Sequence, residues 1–303
     1  MDRLGERLPD QSRSSAAGIS RDFGQGKRCG DRDPGRRARA VPFTSLSDLA
    51  GGASRHRGGY RSVSVPPLKI ADLAAGYGKR TVIRDIAFTV EPGEVFGLIG
   101  LNGVGKTTLI KALLGLSRAS GTADIFGLPA GPPKGRRLLA YLPEKFQPSP
   151  LLRGWEFLSL TLGYYGKVLD RNAATRLCEG LDLDPAALGR QGRTYSKGMG
   201  QKLGLLGTLL TGLPLLILDE PMSGLDPRAR IMLKDRLKEY SVDGNAIFFS
   251  SHILADIEEM CDRIAVMCDG RLIYVGPPGD LMARHGGQNL ERAFLAAIDA
   301  VAR

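Results

Sequence analysis

The sequence predicts an α/β fold built on a largely parallel sheet, and three observations carry that prediction. From Leu68 onward, short runs rich in apolar and β-branched residues alternate with stretches of helical periodicity, the pattern of strand–helix units. The segment Gly100-Leu101-Asn102-Gly103-Val104-Gly105-Lys106-Thr107 joins an apolar run to a helical one, the position a phosphate-cradling loop occupies between strand and helix. The run 213–218 is apolar over strand length and ends in Asp219 and Glu220, as expected of a strand buried on both faces of a parallel sheet.

Taken in order, residues 68–73, 82–90 and 94–99 read as strands. Residues 107–116 place Leu109, Ile110, Leu113 and Leu114 on one face of a helix. Residues 122–126 and 138–142 are short strands, and 151–188 is mostly helical. Strand character returns at 213–218, 246–250, 263–267 and 271–275. Leu290, Phe294, Leu295 and Ile298 give 289–298 an amphipathic helical pattern, expected to pack on the domain with no sizeable regulatory domain after it.

At 303 residues the chain is long enough for two parts, and the sequence divides unevenly. Residues 1–66 are rich in Arg, Gly, Ser and Asp and lack apolar periodicity, so they cannot bury enough surface to offset their ordering entropy. They are expected to form a disordered basic extension, with 67–303 as the folded domain and 151–191 as a helical subdomain within it. The extension has no apolar core of a secretory signal, and Arg36-Arg37 is followed by no apolar stretch. No Met lies between Met1 and Met199. The extension is therefore either genuine or an artefact of start-site choice, with Val63 or Val65 close to the alternative start.

The formal net charge of +10 admits nucleic acid, an anionic membrane face or an anionic small ligand. Residues 1–65 hold 13 Lys and Arg against 7 Asp and Glu, leaving 29 against 25 beyond them. The folded part is thus only mildly basic, and no specific nucleic acid is expected. No run of 18 apolar residues occurs, so no membrane-spanning helix is predicted. Cys29, Cys178, Cys261 and Cys268 lie far apart without CxxC spacing and read as ordinary thiols.

The glycine-rich segment fits G-x-x-x-x-G-K-[ST]. Glycines let successive backbone N–H groups turn inward around phosphate oxygens, and the following helix adds its N-terminal dipole. Lys106 supplies a positive charge to the β- and γ-phosphates, and Thr107 a hydroxyl to Mg²⁺. At the end of the acidic strand, Asp219 is placed to meet the metal and Glu220 to polarise a water in line with the γ-phosphate.

Further motifs follow in a fixed order, and together with these the chain resembles the ATP-binding subunit of an ABC transporter over about residues 68–303. Tyr195-Ser196-Lys197-Gly198-Met199 resembles the family signature. Pro221-Met222-Ser223-Gly224-Leu225-Asp226 resembles the D-loop, Ser250-Ser251-His252 the switch histidine, and Tyr77 the aromatic that stacks on adenine. The resemblance implies a P-loop ATPase with a mainly parallel core sheet, an antiparallel β subdomain and a helical signature subdomain. It implies ATP and Mg²⁺ as ligands, with nucleotide contacts from Tyr77, Gly100, Leu101, Asn102, Gly103, Val104, Gly105, Lys106, Thr107, Thr108, Ser196, Gly198 and Asp226. Lys106, Glu220 and His252 would be catalytic, and Thr107, Asp219 and Glu144 would be the metal's oxygen donors.

Two departures from the family pattern stand out. The signature carries Lys197 and Met199 where Gly and Gln are usual, a form that resembles drug and polysaccharide exporters. Where the family's Q-loop holds Gln, this chain has Glu144, with Gln147 three residues on as the alternative. The resemblance also implies a head-to-tail dimer with a second ATPase subunit, identical or not, in which Ser196 and Gly198 face the partner's γ-phosphate. Separately encoded integral membrane subunits would dock on the helical subdomain, where Trp155, Phe157 and Leu160 are groove or core residues, and would hold the chain at the cytoplasmic face of the cell membrane. The alternative is a soluble, non-transport ABC ATPase acting on nucleic acid or ribosomes. Neither a coiled-coil insertion nor a second cassette is present to support it. A P-loop kinase or GTPase would leave the Ser196 and Asp226 motifs unexplained.

Overall fold

The computed structural model describes residues 65–302. The expectations made for residues 1–64, the basic extension and Cys29 among them, lie outside the described residues.

Two sheets organise the domain. The larger is built from β3 (Val95–Gly100), β6 (Leu139–Leu142), β7 (Leu215–Asp219), β8 (Ala246–Ser250), β9 (Arg263–Cys268) and β10 (Arg271–Gly276) in the order β10-β9-β3-β8-β7-β6. Five of these strands run parallel and only β10, paired to β9, is antiparallel. The smaller sheet is antiparallel, with β1 (Leu68–Tyr77), β2 (Arg80–Val90), β4 (Ala119–Ile125) and β5 (Leu128–Pro129) in the order β2-β1-β4-β5. The α/β fold class with its antiparallel subdomain is thus as expected.

β3, β7 and β8 are buried along their whole length, because a parallel sheet is covered on both faces. Alternate side chains enter two separate cores. Ile99, Leu218 and Phe249 pack with the helices α3 (Gly154–Tyr164), α4 (Arg171–Glu179), α5 (Lys197–Leu210) and α6 (Pro227–Val242). Phe96, Leu98, Ile217 and Phe248 face α1 (Lys106–Leu113) and the antiparallel sheet. Three stacked rings join the sheets, Phe88 on Phe96 at 4.8 Å between centroids, Phe88 on Phe248 at 5.7 Å and Phe96 on Phe248 at 6.1 Å.

Several boundaries differ from the sequence pattern. Tyr77 is the last residue of β1 rather than a residue beyond it, and β4 starts at Ala119 because Ala119 and Ser120 pair with Ala75 and Ala74. The predicted helical stretch 151–188 resolves into α3, α4 and a 3₁₀ turn at Pro185–Gly189. Periodicity did not single out α2 (Pro133–Arg136), α7 (Leu254–Met260) or α8 (Pro278–His285), which are short. The long helix α5 was hidden by its glycines, poor helix formers. Packing overrides the propensity: a Cβ at Gly204 would lie 2.7 Å from both Leu142 and Phe146, so the missing side chain lets them lie on the helix. The last helix, α9 (Leu290–Ala302), buries Leu290 and Phe294 in the same core as α5.

Cys178 and Cys261 are buried free thiols and Cys268 a half-buried one. Burial pushes Cys178 up to about 12, so it is a core residue without nucleophilic character at neutral pH.

The ring stack makes Phe96→Ala a severe core deletion. It is expected to cost about 3–5 kcal/mol of unfolding free energy, read by urea denaturation; a loss below about 1 kcal/mol would show that the two sheets do not depend on the stack.

Candidate nucleotide-binding site

The C-terminal ends of β3, β7 and β8 converge on one edge of the parallel sheet. In an open parallel sheet this edge is where ligands sit, because loops leaving the strands there can surround them. β3 runs into the 100–107 loop and α1 begins at Lys106. Gly105 caps the helix at φ 116°, and a Cβ there would meet Ile83 at 2.5 Å, so only glycine closes this loop.

β7 delivers two carboxylates with different surroundings. Asp219 is only 2% exposed. It stands opposite Ser250 in the β7–β8 ladder, and Ser250 Oγ donates to Asp219 Oδ1 at 2.5 Å. Desolvation raises the Asp219 pKa, the Ser250 bond opposes that, and the nearby charges of Glu144 and Glu220 add to it. Glu220, one residue on, has a left-handed backbone at φ 52°. This conformation is costly for a side chain of this size and is held by the Glu220 N–H, which donates to Ser250 O and Ser250 Oγ, both at 3.2 Å. The twist turns the Glu220 side chain toward His252, whose Nδ1 lies 2.7 Å from Oε2 and whose backbone N–H donates to the same oxygen at 3.3 Å.

Asp219, Glu220, His252 and Gly105 line one cleft of about 380 Å³ together with Leu101, Asn102, Gly103, Thr107, Thr108, Glu144 and Ser223, within the range of small-ligand sites. Lys106 is buried at its base. Its ammonium donates to Gly100 O at 2.7 Å and Leu101 O at 3.3 Å. Burial lowers its pKa, and the carboxylates of Glu220, Asp219 and Glu144 counteract the shift. Gly100 contributes its carbonyl and Val104 packs into the core beneath, so neither lines the cleft.

Other expected residues lie apart. Tyr77 is 52% exposed at the end of β1, with the Lys111 ammonium 5.9 Å from its ring centre. Lys111 is one turn along α1 from Thr107, so Tyr77 stands beside α1 but outside the cleft lining. Glu144 lines the cleft and Gln147 does not. Ser196 caps α5 by accepting from the Met199 N–H at 3.2 Å, and Asp226 caps α6 by accepting from the Ala229 N–H at 2.9 Å. Ser196, Gly198 and Asp226 do not line this chain's cleft. Phe157 packs on Phe146 with ring centres 5.4 Å apart, and both Phe157 and Trp155 pack half-buried against the subdomain core. Trp155 is half-buried under Arg171, and Leu160 points outward. The structure adds Ser250 and Ser223, which the motifs left unassigned. The signal for Ser250 is its register with Asp219, visible only once β7 and β8 are paired.

Comparison with known proteins bears on this arrangement. The family described as ABC transporter matches residues 83–223. An ATP-binding protein for linearmycin resistance from Bacillus subtilis is 30% identical over 78% of this chain and 79% of its own length. A Nod factor export ATP-binding protein from Cupriavidus pinatubonensis is 32% identical over 82% and 80%. The chain belongs to the family of ABC transporter ATP-binding proteins. Among solved structures, an ATP-binding subunit of an ABC transporter matches with a TM-score of 0.70 and 35% identity over 76% of this chain and 98% of that one. The chain spans 59% and 62% of the length of two cyanobacterial members of the family, at 39% and 40% identity.

The buried Asp219 gives a test with a defined sign. Because burial raises its pKa, its ionised form costs stability at neutral pH, and that cost fades as pH falls through the raised pKa. Asp219→Asn keeps an oxygen for Ser250 and is expected to melt a few degrees above the parent chain at neutral pH, with the gap closing in acid. A melting temperature at or below the parent's would show that the carboxylate is not under this strain.

Proposed function

We propose that the chain binds and hydrolyses ATP with Mg²⁺ and that this drives an ABC exporter. The observation that carries the reading is the cleft itself, in which Lys106, Thr107, Asp219, Glu220 and His252 meet on one edge of the sheet. Loop N–H groups and the α1 N-terminus cradle the phosphates. Lys106 swings from the loop carbonyls to the β- and γ-phosphates. Tyr77, exposed beside α1, offers a face for the adenine ring.

The residues fit a magnesium ion. Among the described residues no group of three or more His, Cys, Asp or Glu forms a metal cage, whereas Mg²⁺ in phosphoryl-transfer sites takes one or two carboxylates and completes its shell with phosphate and water. Thr107 and Asp219 would hold it, with Glu144 as a further oxygen donor, and when bound it neutralises charge on the phosphates. Glu220 accepts a proton from the attacking water. His252, tied to Glu220 Oε2, orients that carboxylate and reaches toward the γ-phosphate. Ser196 and Gly198, which do not line this cleft, serve the cleft of a second ATPase subunit in a head-to-tail pair. Asp226 lies in the loop at the same junction.

Among the described residues no helix is long and apolar enough to cross a membrane, so transport is assigned to separate membrane subunits, with this chain peripheral on the cytoplasmic face. Leu151, Leu160 and Tyr164 are exposed on or beside α3 and offer apolar surface for such a subunit. Export as the direction is supported by the Ser-Lys-Gly-Met signature and by relatives named for Nod factor export and linearmycin resistance.

Glu220→Gln is expected to retain ATP binding and lower phosphate release by roughly 10²–10⁴-fold, the usual size of a general-base contribution; unchanged turnover would remove Glu220 from that role. Lys106→Ala is expected to weaken ATP affinity in a fluorescent-nucleotide titration, and an unaltered affinity would contradict the phosphate clamp.

A further inference from the structure

Two long polar side chains in the first turns of α5 point into the protein rather than to solvent, Gln201 at 4% and Lys202 at 7% exposure. A buried amide or ammonium is tolerated only where its donors are satisfied. Both find partners around one segment, 220–226. Gln201 Nε2 donates to Pro221 O at 3.2 Å, the carbonyl one residue beyond Glu220. Lys202 Nζ donates to Asp182 O at 2.7 Å and pairs with Asp182 Oδ2 at 3.3 Å and Asp226 Oδ2 at 3.4 Å. The other carboxylate oxygen of Asp226 caps α6. Between these two attachments the backbones touch, since a Cβ at Gly198 would lie 2.9 Å from Gly224 O. One helix therefore grips both ends of the loop that carries the carboxylate and Ser223 past the cleft.

We propose that Gln201 and Lys202 are positioning residues that set the Glu220–Asp226 loop from the signature helix. The peptide after Glu220 has to be held, because Glu220 itself sits in a disfavoured left-handed conformation. Ser250 fixes it from the N–H side, and Gln201 fixes it from the next carbonyl. Lys202 anchors the far end and ties it through Asp182 to the residues after α4. The proposal rests on the assignment of Glu220 as the base and of the α5 N-terminus as the surface that meets a second nucleotide. It adds that engagement of α5 at one nucleotide adjusts the carboxylate in the cleft of its own chain.

The test uses the full chain and measures kcat, KM for ATP and nucleotide affinity for Gln201→Met, Lys202→Met and Lys202→Arg. Each Met variant keeps side-chain bulk and removes the polar group. Both are expected to lose about ten-fold or more in kcat, with KM and affinity within about two-fold of the parent, the split expected when an interaction acts on the transition state alone. Lys202→Arg, which retains the charge and donors, is expected to recover most of the rate. Should a Met variant fail to fold by thermal melt, Gln201→Glu, which sets an acceptor against Pro221 O, is read in the same way. An unchanged kcat, a parallel loss of affinity and kcat, or failure of Lys202→Arg to recover overturns the proposal. Failure of the underlying reading looks different: the parent chain would then release no phosphate, or Glu220→Gln would turn over normally.

Discussion

The parallel register of β3, β7 and β8 is the constraint on which the site depends. Residues paired across those strands, Leu98 with Ser250 and Asp219 with Ser250, reach the same edge at the same height, so three loops distant in sequence open on one cleft. A shift of one residue would exchange the faces of a strand, turning Asp219 into a core position and burying the wrong side chains. The two apolar cores, one on each face of the sheet, fix that register. The chemistry at the edge is therefore held by the packing beneath it.

The site in turn places groups where folding alone would not. A lysine and an aspartate are buried at the cleft base, and a glutamate occupies a left-handed backbone. Each is stabilised by a few short bonds: loop carbonyls for Lys106, the Ser250 hydroxyl for Asp219, and Ser250 with His252 for Glu220. Ser250 stands at the centre of this cluster, since it touches both carboxylate residues. Unfavourable burial and strain concentrated in one cleft mark it as a place where binding, rather than stability, shapes the residues.

Much of this was legible in the sequence, for identifiable reasons. The 100–107 loop shows because its glycines, Lys106 and Thr107 have the spacing that cradling a phosphate requires, and the strands show because burial on both faces leaves uninterrupted apolar runs. What periodicity missed has physical causes. The glycines of α5 lower its propensity while serving close packing against Phe146. Tyr77 belongs to β1 because cross-strand pairing carries that strand past its apolar stretch. The buried roles of Gln201, Lys202 and Ser250 depend on partners 20 to 31 residues away along the chain, which no local pattern reveals. Local motifs also could not show that Phe157 is taken up by the subdomain core.

Lys106, Asp219, Glu220 and His252 meet in one chain, while Ser196 and Gly198 stand outside that cleft, and the complete site we propose therefore draws on two chains. The most direct test is phosphate release from ATP with Mg²⁺ by the purified full chain, followed as its concentration is raised. Hydrolysis is expected at a rate per chain that climbs with concentration and then levels off as pairs form. A rate per chain that is independent of concentration from the most dilute samples upward, or no release at any concentration, would contradict it.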